Sequence, residues 1–335
     1  MTLRELAKYA GVSPATVSLV INEKPGVNAE TRARVQELIK EYSYQPTRKK
    51  STIKTNKHIL FLKYLNNGMI VEDNADFIST IMDSIEGSCR KRNYTLSIMN
   101  ISDNPEKFFT DIDYDSYDGI ILLGTEFPEI YYPLLYRIQI PFIVVDNNVP
   151  NIRCNSIAID NNDTVFQAVG YLASLGHRTI GYFRSNMVLE NFNERADAFY
   201  RAVKYYHLET KPCWEYKLTP SMMGAYEGMK IFLDKGGSLP DSIFADNDTI
   251  AIGAIKALKS YQYKIPKDLS IMGVDDIIFS EMNSPSLTTM NIPKKLIGSM
   301  AVQHLHAAIT DSDARHVKTR IGGSLVVRNS TAQHS

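Results

Sequence analysis

The stretch TLRELAKYAGVSPATVSLVIN, residues 2–22, can fold in few ways. Its apolar residues recur at helical spacing on either side of a single glycine, which predicts two short helices joined by a tight turn. Thr2 can cap the first helix, with Glu5 three positions on completing a capping box, while Leu3, Leu6, Ala7 and Ala10 supply its apolar stripe. Gly11 then breaks the helix. Ser13 is a favoured N-cap and Pro14 falls at the first helical position, where a missing N–H costs nothing, so a second helix should start there and run to about Asn22. Val17, Val20 and Ile21 point inward by periodicity. Ala15, Ser18, Leu19 and Asn22 form an outer face of short side chains that would let the helix axis approach base edges in a DNA major groove. A third helix, opened by Asn28 as N-cap, carries Val35, Leu38 and Ile39 toward the same small core and leaves Arg32, Arg34 and Lys40 in solvent.

Three helices alone could serve protein contacts, and charge decides against that reading. The 335-residue chain holds 37 Lys and Arg and 37 Asp and Glu, a formal net charge of zero. Residues 1–58 nevertheless carry 11 basic and 5 acidic side chains, leaving 26 basic and 32 acidic for the remainder. A small basic module joined to an acidic body is what binding a polyphosphate by one end requires, because counterion release rewards clustered Lys and Arg.

TLRELAKYAGVSPATVSLVIN followed by VNAETRARVQELIKEYSYQP resembles the DNA-binding headpiece of the lactose-repressor (LacI/GalR) family, without a gap from Thr2 to Pro46. The resemblance runs over nearly the whole chain. The expected DNA-contacting set is Thr2, Ser13, Pro14, Ala15, Thr16, Ser18, Leu19, Asn22, Thr31, Tyr44 and Ile53. Residues 47–57, TRKKSTIKTNK with its flanks, are basic and lose periodicity, so they read as a linker between a headpiece (1–46) and a body (58–335). In the family this stretch forms a hinge helix on the operator and wedges an apolar side chain into the minor groove; Ile53 occupies the matching position. Lys50 and Ser51 stand where relatives carry an Ala-Arg pair, and the linker is about two residues shorter.

From His58 onward, apolar strands alternate with amphipathic helices: HILFLKYL, ADFISTIMDSIEGSCRKR, YTLSIMNI, an acid-rich helix, YDGIILLG and PFIVVD. A second cycle is expected to start with SIAID and to continue through RTIGYF, helix ERADAFYRAVKYY, EYKL, SIFAD, TIAIGAIKALKSY and LSIMGVD. Two cycles predict two parallel α/β lobes. The expected division is an N-lobe of about 58–158 plus a return segment near 290–315, and a C-lobe of about 159–289 plus 316–330. The fold class is therefore an all-α three-helix headpiece plus a two-lobed α/β body like a type I periplasmic binding protein, as the resemblance implies.

Ligands in such sheets bind beyond the carboxyl ends of strands. Those ends carry Asp146, Asp160, Asp246 with Asn247, and Asp275 with Asp276, while Phe77 and Arg195 are placed at the openings of helices that follow strands. Carboxylates, an amide, an Arg and an aromatic face are the chemistry for holding a hydroxyl-rich ring. For any one Asp, capping the next helix is an equally good reading. The resemblance implies effector contacts from Arg195, Asn247 and Asp275, and also from Phe77, Asp160 and Phe192. Trp214, in a segment where relatives supply a stacking aromatic, has no secure counterpart.

Other classes find little support. No dinucleotide or triphosphate motif, no G-x-S-x-G and no H-E-x-x-H occurs, so no enzyme is expected. DIDYDSYD has the alternating acids of a calcium loop, but Ser116 replaces the turn glycine and Leu122 the closing Glu. His304 and His306 point to different faces of one helix, and Cys89, Cys154 and Cys213 lie far apart. Neither a metal nor a cofactor is expected. With no membrane-spanning run and no leader read at the N-terminus, the protein is expected in the cytoplasm. The few residues after Arg328 cannot form a coiled coil, so the expected assembly is a homodimer on a pseudo-palindromic operator, controlled by a small molecule, most simply a sugar. Weighed beside this repressor reading were an activator of the same architecture and a pure periplasmic-type ligand-binding module. The charge split makes a direct prediction: DNA affinity should fall steeply and linearly on a log–log plot against salt, and a flat plot would contradict phosphate-dominated binding.

Overall fold

A parallel sheet must be reached by crossovers, and the body makes two such sheets from one chain. The computed structural model describes residues 3–21, 26–42, 56–65, 75–101, 104–311, 313 and 315–334. These group into two compact units, Met1–Thr55 and Asn56–Ser335.

The first unit contains α1 (Leu3–Ala10), α2 (Pro14–Ile21) and α3 (Ala29–Glu41). Gly11 takes φ +63°, a left-handed turn that glycine enters at little cost. The Thr16 N–H donates to Ser13 Oγ at 3.1 Å, and the Thr31 N–H donates to the Asn28 side chain at 2.8 Å, so α2 and α3 are capped as expected. Leu6, Ala7, Ala10, Val17, Val20 and Val35 form the buried core, with Ile21, Leu38 and Ile39 packed against it. Tyr9 stacks on Tyr42 with ring centroids 5.6 Å apart.

In the second unit the elements run β1 (His58–Tyr64), α4 (Ala75–Lys91), β2 (Thr95–Ile101), α5 (Pro105–Asp111), β3 (Gly119–Leu123), β4 (Phe142–Val145), β5 (Asn155–Ile159) and α6 (Asn161–Ser174). They continue with β6 (Ile180–Ser185), α7 (Glu190–Tyr205), β7 (Glu215–Leu218), α8 (Met222–Asp234), β8 (Ser242–Ala245), α9 (Asp248–Ser260), β9 (Ser270–Asp275) and α10 (Ile278–Met282). The last are β10 (Thr288–Asn291), α11 (Lys294–Thr310), β11 (Lys318–Ile321) and β12 (Ser324–Val326). The first sheet has the order β11-β5-β4-β3-β1-β2 and the second β12-β10-β9-β8-β6-β7. All pairs are parallel except β10 with β12. Central strands buried on both faces, such as GIILL, explain the continuous apolar runs.

Two corrections to the sequence reading follow from this pairing, and a third from a helix boundary. SIAID, expected to begin the second cycle, is β5 of the first sheet, because it hydrogen-bonds to β4 and β11; the second sheet begins at β6. The stretch 316–330, expected whole in the C-lobe, is split: β11 completes the first sheet and β12 the second. Helix α7 begins at Glu190, so Arg195 lies in its second turn and does not open it. In DIDYDSYD, Asp111 closes α5 and Tyr114–Ser116 form a 3₁₀ turn capped by Asp113.

The chain crosses between lobes three times, at β5 to α6, β10 to α11 and β11 to β12. Helix contacts within each lobe are close enough to need glycine: a Cβ on Gly253 would lie 2.3 Å from the Met222 carbonyl oxygen, and one on Gly298 2.6 Å from that of Ile81. Gly253→Ala should therefore cost about 1–3 kcal/mol despite alanine's better helix propensity, read as a lower urea midpoint at unchanged slope.

Candidate nucleic-acid interface and effector cleft

In the first unit, α2 has only one face committed to the core, Val17 and Val20 being buried. Ser13 and Pro14 are exposed at its start; Thr16, Ser18, Leu19 and Thr31 are half-buried, so Leu19 is less open than periodicity alone suggests. Ala15 lies within α2. Thr2, Asn22, Tyr44 and Ile53 fall outside the described residues. The described side chains at the start of α2, Ser13, Pro14, Thr16 and Ser18, are short, and a helix with a face of short side chains can approach base edges closely.

In the body, the carboxyl ends of the two sheets face one another across the lobe boundary. The first lobe contributes Phe77 from α4, Thr125 just after β3 and Asp146 just after β4; the second contributes Leu189, Asn191, Phe192, Arg195, Asn247 and Asp275. Both strand-end aspartates leave the ordinary backbone range, Asp146 at φ +62° and Asp275 at φ +112°, a strain found at ligand clamps and worth about 1–3 kcal/mol each. Free space among these groups is about 20 Å³, room for about one water molecule.

Arg195, 3% exposed, is the hub. Its Nε donates to Asn161 Oδ1 at 2.9 Å, one terminal nitrogen donates to the Asp246 carbonyl oxygen, and the other lies 3.5 Å from Asp275 Oδ1. Asn161 in turn donates to Asn191 Oδ1 at 2.9 Å, and Asn191 donates across the lobe boundary to Asp146, at 3.0 Å to its carbonyl and 3.1 Å to its carboxylate. Thr125 donates to the other Asp146 carboxylate oxygen at 2.6 Å. Asp246 accepts from the Tyr182 hydroxyl and from the Ser185 N–H. Burial pushes the Asp146 carboxyl up to about 6, against the opposing pull of Thr125 and Arg195, and burial likewise takes Asp246 to about 6.

Of the six residues expected to hold an effector, five line this cleft: Phe77, Phe192, Arg195, Asn247 and Asp275. Asn247 also caps α9, accepting from the Ile250 N–H at 3.0 Å. Asp160 is the exception. Its carboxylate accepts from the Asp163 N–H at 3.0 Å and its own N–H donates to the Ile321 carbonyl, so it is a helix cap at an interlobe crossover and does not face the cleft. Trp214 donates to the Ser238 carbonyl under Lys211, also outside the cleft. Thr125, Asn191 and Asn161 were missed; the strand-end rule would have found Thr125, but nothing in the sequence marks the two asparagines. Lys294, at the start of α11, reaches the Asp275 and Asp276 carbonyls and is held above the Phe77 ring at 5.8 Å.

This pairing of a capped helix-turn-helix with a two-lobed binding body has matches among known proteins. A family model described as "Bacterial regulatory proteins, lacI family" matches residues 2–47, and one described as "Periplasmic binding protein-like domain" matches residues 169–331. The HTH-type transcriptional repressor PurR of Pasteurella multocida (strain Pm70) is 30% identical over 336 residues, 98% of each chain. Two solved structures share the fold: a transcriptional regulator CelR–cellobiose complex (TM-score 0.72, 23% identity, 98% of this chain and 99% of that one) and the lac repressor dimer bound to operator and the anti-inducer ONPF (TM-score 0.72, 22% identity, 99% of each). The chain belongs to the LacI family of bacterial regulatory proteins. It is a DNA-binding transcriptional regulator with a ligand-binding body. Among the described residues, no helix is long and apolar enough to cross a membrane.

Two outcomes follow from the cleft. Arg195→Ala would strip donors from Asn161 and the Asp246 carbonyl and remove the guanidinium beside Asp275, at about 3–5 kcal/mol, so the apo protein should already lose stability in urea. Because the folded Asp146 binds its proton more tightly than the unfolded group, it makes stability fall as pH rises from about 4 through about 6. Asp146→Asn should remove up to about 3 kcal/mol of that pH dependence; an identical slope in parent and variant would refute the assignment.

Proposed function

We propose that the protein is a repressor acting in the cytoplasm as a homodimer, each headpiece reading one half-site of a pseudo-palindromic operator, and that a sugar or sugar derivative bound between the lobes controls operator affinity. The observation that carries this reading is the cleft itself, where buried carboxylate, amide and guanidinium groups converge between two aromatic rings, Phe77 and Phe192. Planar donors and paired acceptors grip vicinal hydroxyls, and apolar rings take the C–H face of a sugar. The cellobiose in the CelR complex and the name repressor borne by the PurR relatives support the same choice. None of these groups is arranged as a nucleophile with an adjacent base, so the body is read as a sensor and not an enzyme.

The homodimer is read from a structural neighbour and from apolar side chains that a single chain leaves exposed. Ile98, Met223, Ile278, Phe279 and Met282 are large apolar side chains exposed on the body of a single chain, and the lac repressor structure is titled a dimer. Admitting a sugar into about 20 Å³ of free space requires the lobes to part or rearrange. Among the described residues, the polar contacts that join them include Asn191 to Asp146, the Ile278 N–H to Asp76 at 3.2 Å, the Arg320–Glu194 pair at 2.7 Å, and Lys294 to the Asp275 and Asp276 carbonyls. A ligand that favours one lobe angle over another thereby changes the spacing of the headpieces.

The test has two arms. A thermal-shift screen of sugars and sugar phosphates on the full chain should find one that stabilises it by roughly 2.7 kcal/mol at a hundred times its dissociation constant. Leu19→Arg should alter base preference at one position of each half-site in a binding-site selection. An unchanged selection profile would remove α2 from the groove, and a panel without a hit would remove the sugar.

A further inference from the structure

At the opposite end of the second sheet from the cleft, three residues far apart in sequence meet. His177 lies just before β6, Asp241 just before β8, and His334 in the segment that follows β12. His177 Nδ1 is 3.3 Å from Asp241 Oδ1, and His334 Nε2 is 3.7 Å from Asp241 Oδ2. One ligand atom from each residue can be chosen so that all three lie within 4.8 Å of one another.

His177 is 3% exposed, yet neither of its ring nitrogens makes a hydrogen bond among the described residues; the Asp241 approach is close but poorly aligned. A buried imidazole in that condition is unusual, since buried polar atoms are nearly always satisfied. Its surroundings are built and not loose. The Arg178 and Thr179 N–H groups donate to the Asp241 carboxylate at 3.1 and 3.2 Å, fixing its orientation. The His334 N–H donates to the Leu175 carbonyl at 2.8 Å, and the Ala332 N–H to Ser270 Oγ at 3.1 Å, which pins the terminal segment beside His177. The two imidazole rings stand 5.3 Å apart.

We propose that His177, Asp241 and His334 form a binding site for one divalent transition-metal ion of the zinc class. Two imidazoles and one carboxylate suit zinc, cobalt or nickel and not magnesium or calcium, which prefer all-oxygen shells. Ligand atoms about 2.0–2.2 Å from a tetrahedral ion sit about 3.3–3.6 Å from each other; the 3.3 and 3.7 Å approaches are to opposite oxygens of Asp241 and the triad lies within 4.8 Å, so the side chains need draw in by about an ångström to close on one ion. His334 is 45% exposed, so the ion has a route in and a fourth position open to water. The backbone donors on Asp241 serve as the outer shell that orients a ligating carboxylate. A bound ion would clamp the terminal segment to the strand ends at β6 and β8, stabilising the second lobe without entering the cleft.

Full-length protein stripped with a chelator and exchanged into metal-free buffer should bind one Co²⁺ per chain, with the intense visible absorption of a four-coordinate ion. Zn²⁺ should displace it and raise the melting temperature. His334→Ala, at an exposed position, should weaken Co²⁺ binding at least ten-fold and abolish the Zn²⁺-dependent rise. His316→Ala, at an exposed histidine of the first lobe, should change neither. The proposal is overturned if no ion is taken up, or if the first equivalent binds parent and His334→Ala alike.

Discussion

The buried Arg195 guanidinium is the interaction on which the cleft depends. A cation this deep is tolerated only when acceptors surround it, and here Asn161, the Asp246 carbonyl and Asp275 do so. That requirement fixes the direction of α7 against α6 and against the ends of β8 and β9. It also connects the lobes, because Asn161 orients Asn191 and Asn191 donates to Asp146 at the far side. One side chain thus organises the second lobe internally and sets the polar face it presents to the first.

A second constraint is the cost of closing the cleft on polar groups. Burial pushes the carboxyls of Asp146 and Asp246 up to about 6 and that of Asp248, the first residue of α9, to about 7. Asp248 accepts from Ser280 and Thr289 at 2.6 Å each, tying α9 to α10 and β10, so its hydrogen bonds hold the second lobe together internally. Asp146 instead spans the boundary. A ligand that takes over its hydrogen bonds can separate the lobes without leaving a buried carboxylate unsatisfied, which is how a modest binding energy can move two large lobes.

Much of this was legible in the sequence for definite reasons. Ser13, Pro14 and Asn28 each act through the backbone of their own helix, and a cap is readable where it stands. The double-sided burial of β3 and β4 shows as uninterrupted apolar runs. What failed was partnership at a distance. SIAID looks like the start of a cycle because strand patterns do not say which sheet a strand joins, and only pairing with β4 and β11 settles it. Asp160 carries the same Asp-at-strand-end signal as Asp275, but its carboxylate turns to the Asp163 N–H. Asn161 and Asn191 carry no signal, being neutral amides at helix starts whose role arises from Arg195 and Asp146. His177, Asp241 and His334, separated by 64 and 93 positions, share no spacing that a motif could express.

The central claim is that the cleft and the headpiece are coupled through the lobe boundary. Operator affinity measured by fluorescence anisotropy, with and without a saturating sugar identified by its thermal shift, tests this most directly. The account predicts a change of about 5–150-fold in operator affinity and, by linkage, the same factor in sugar affinity when operator is saturating. A sugar that binds the cleft by calorimetry and leaves operator affinity unchanged would contradict it.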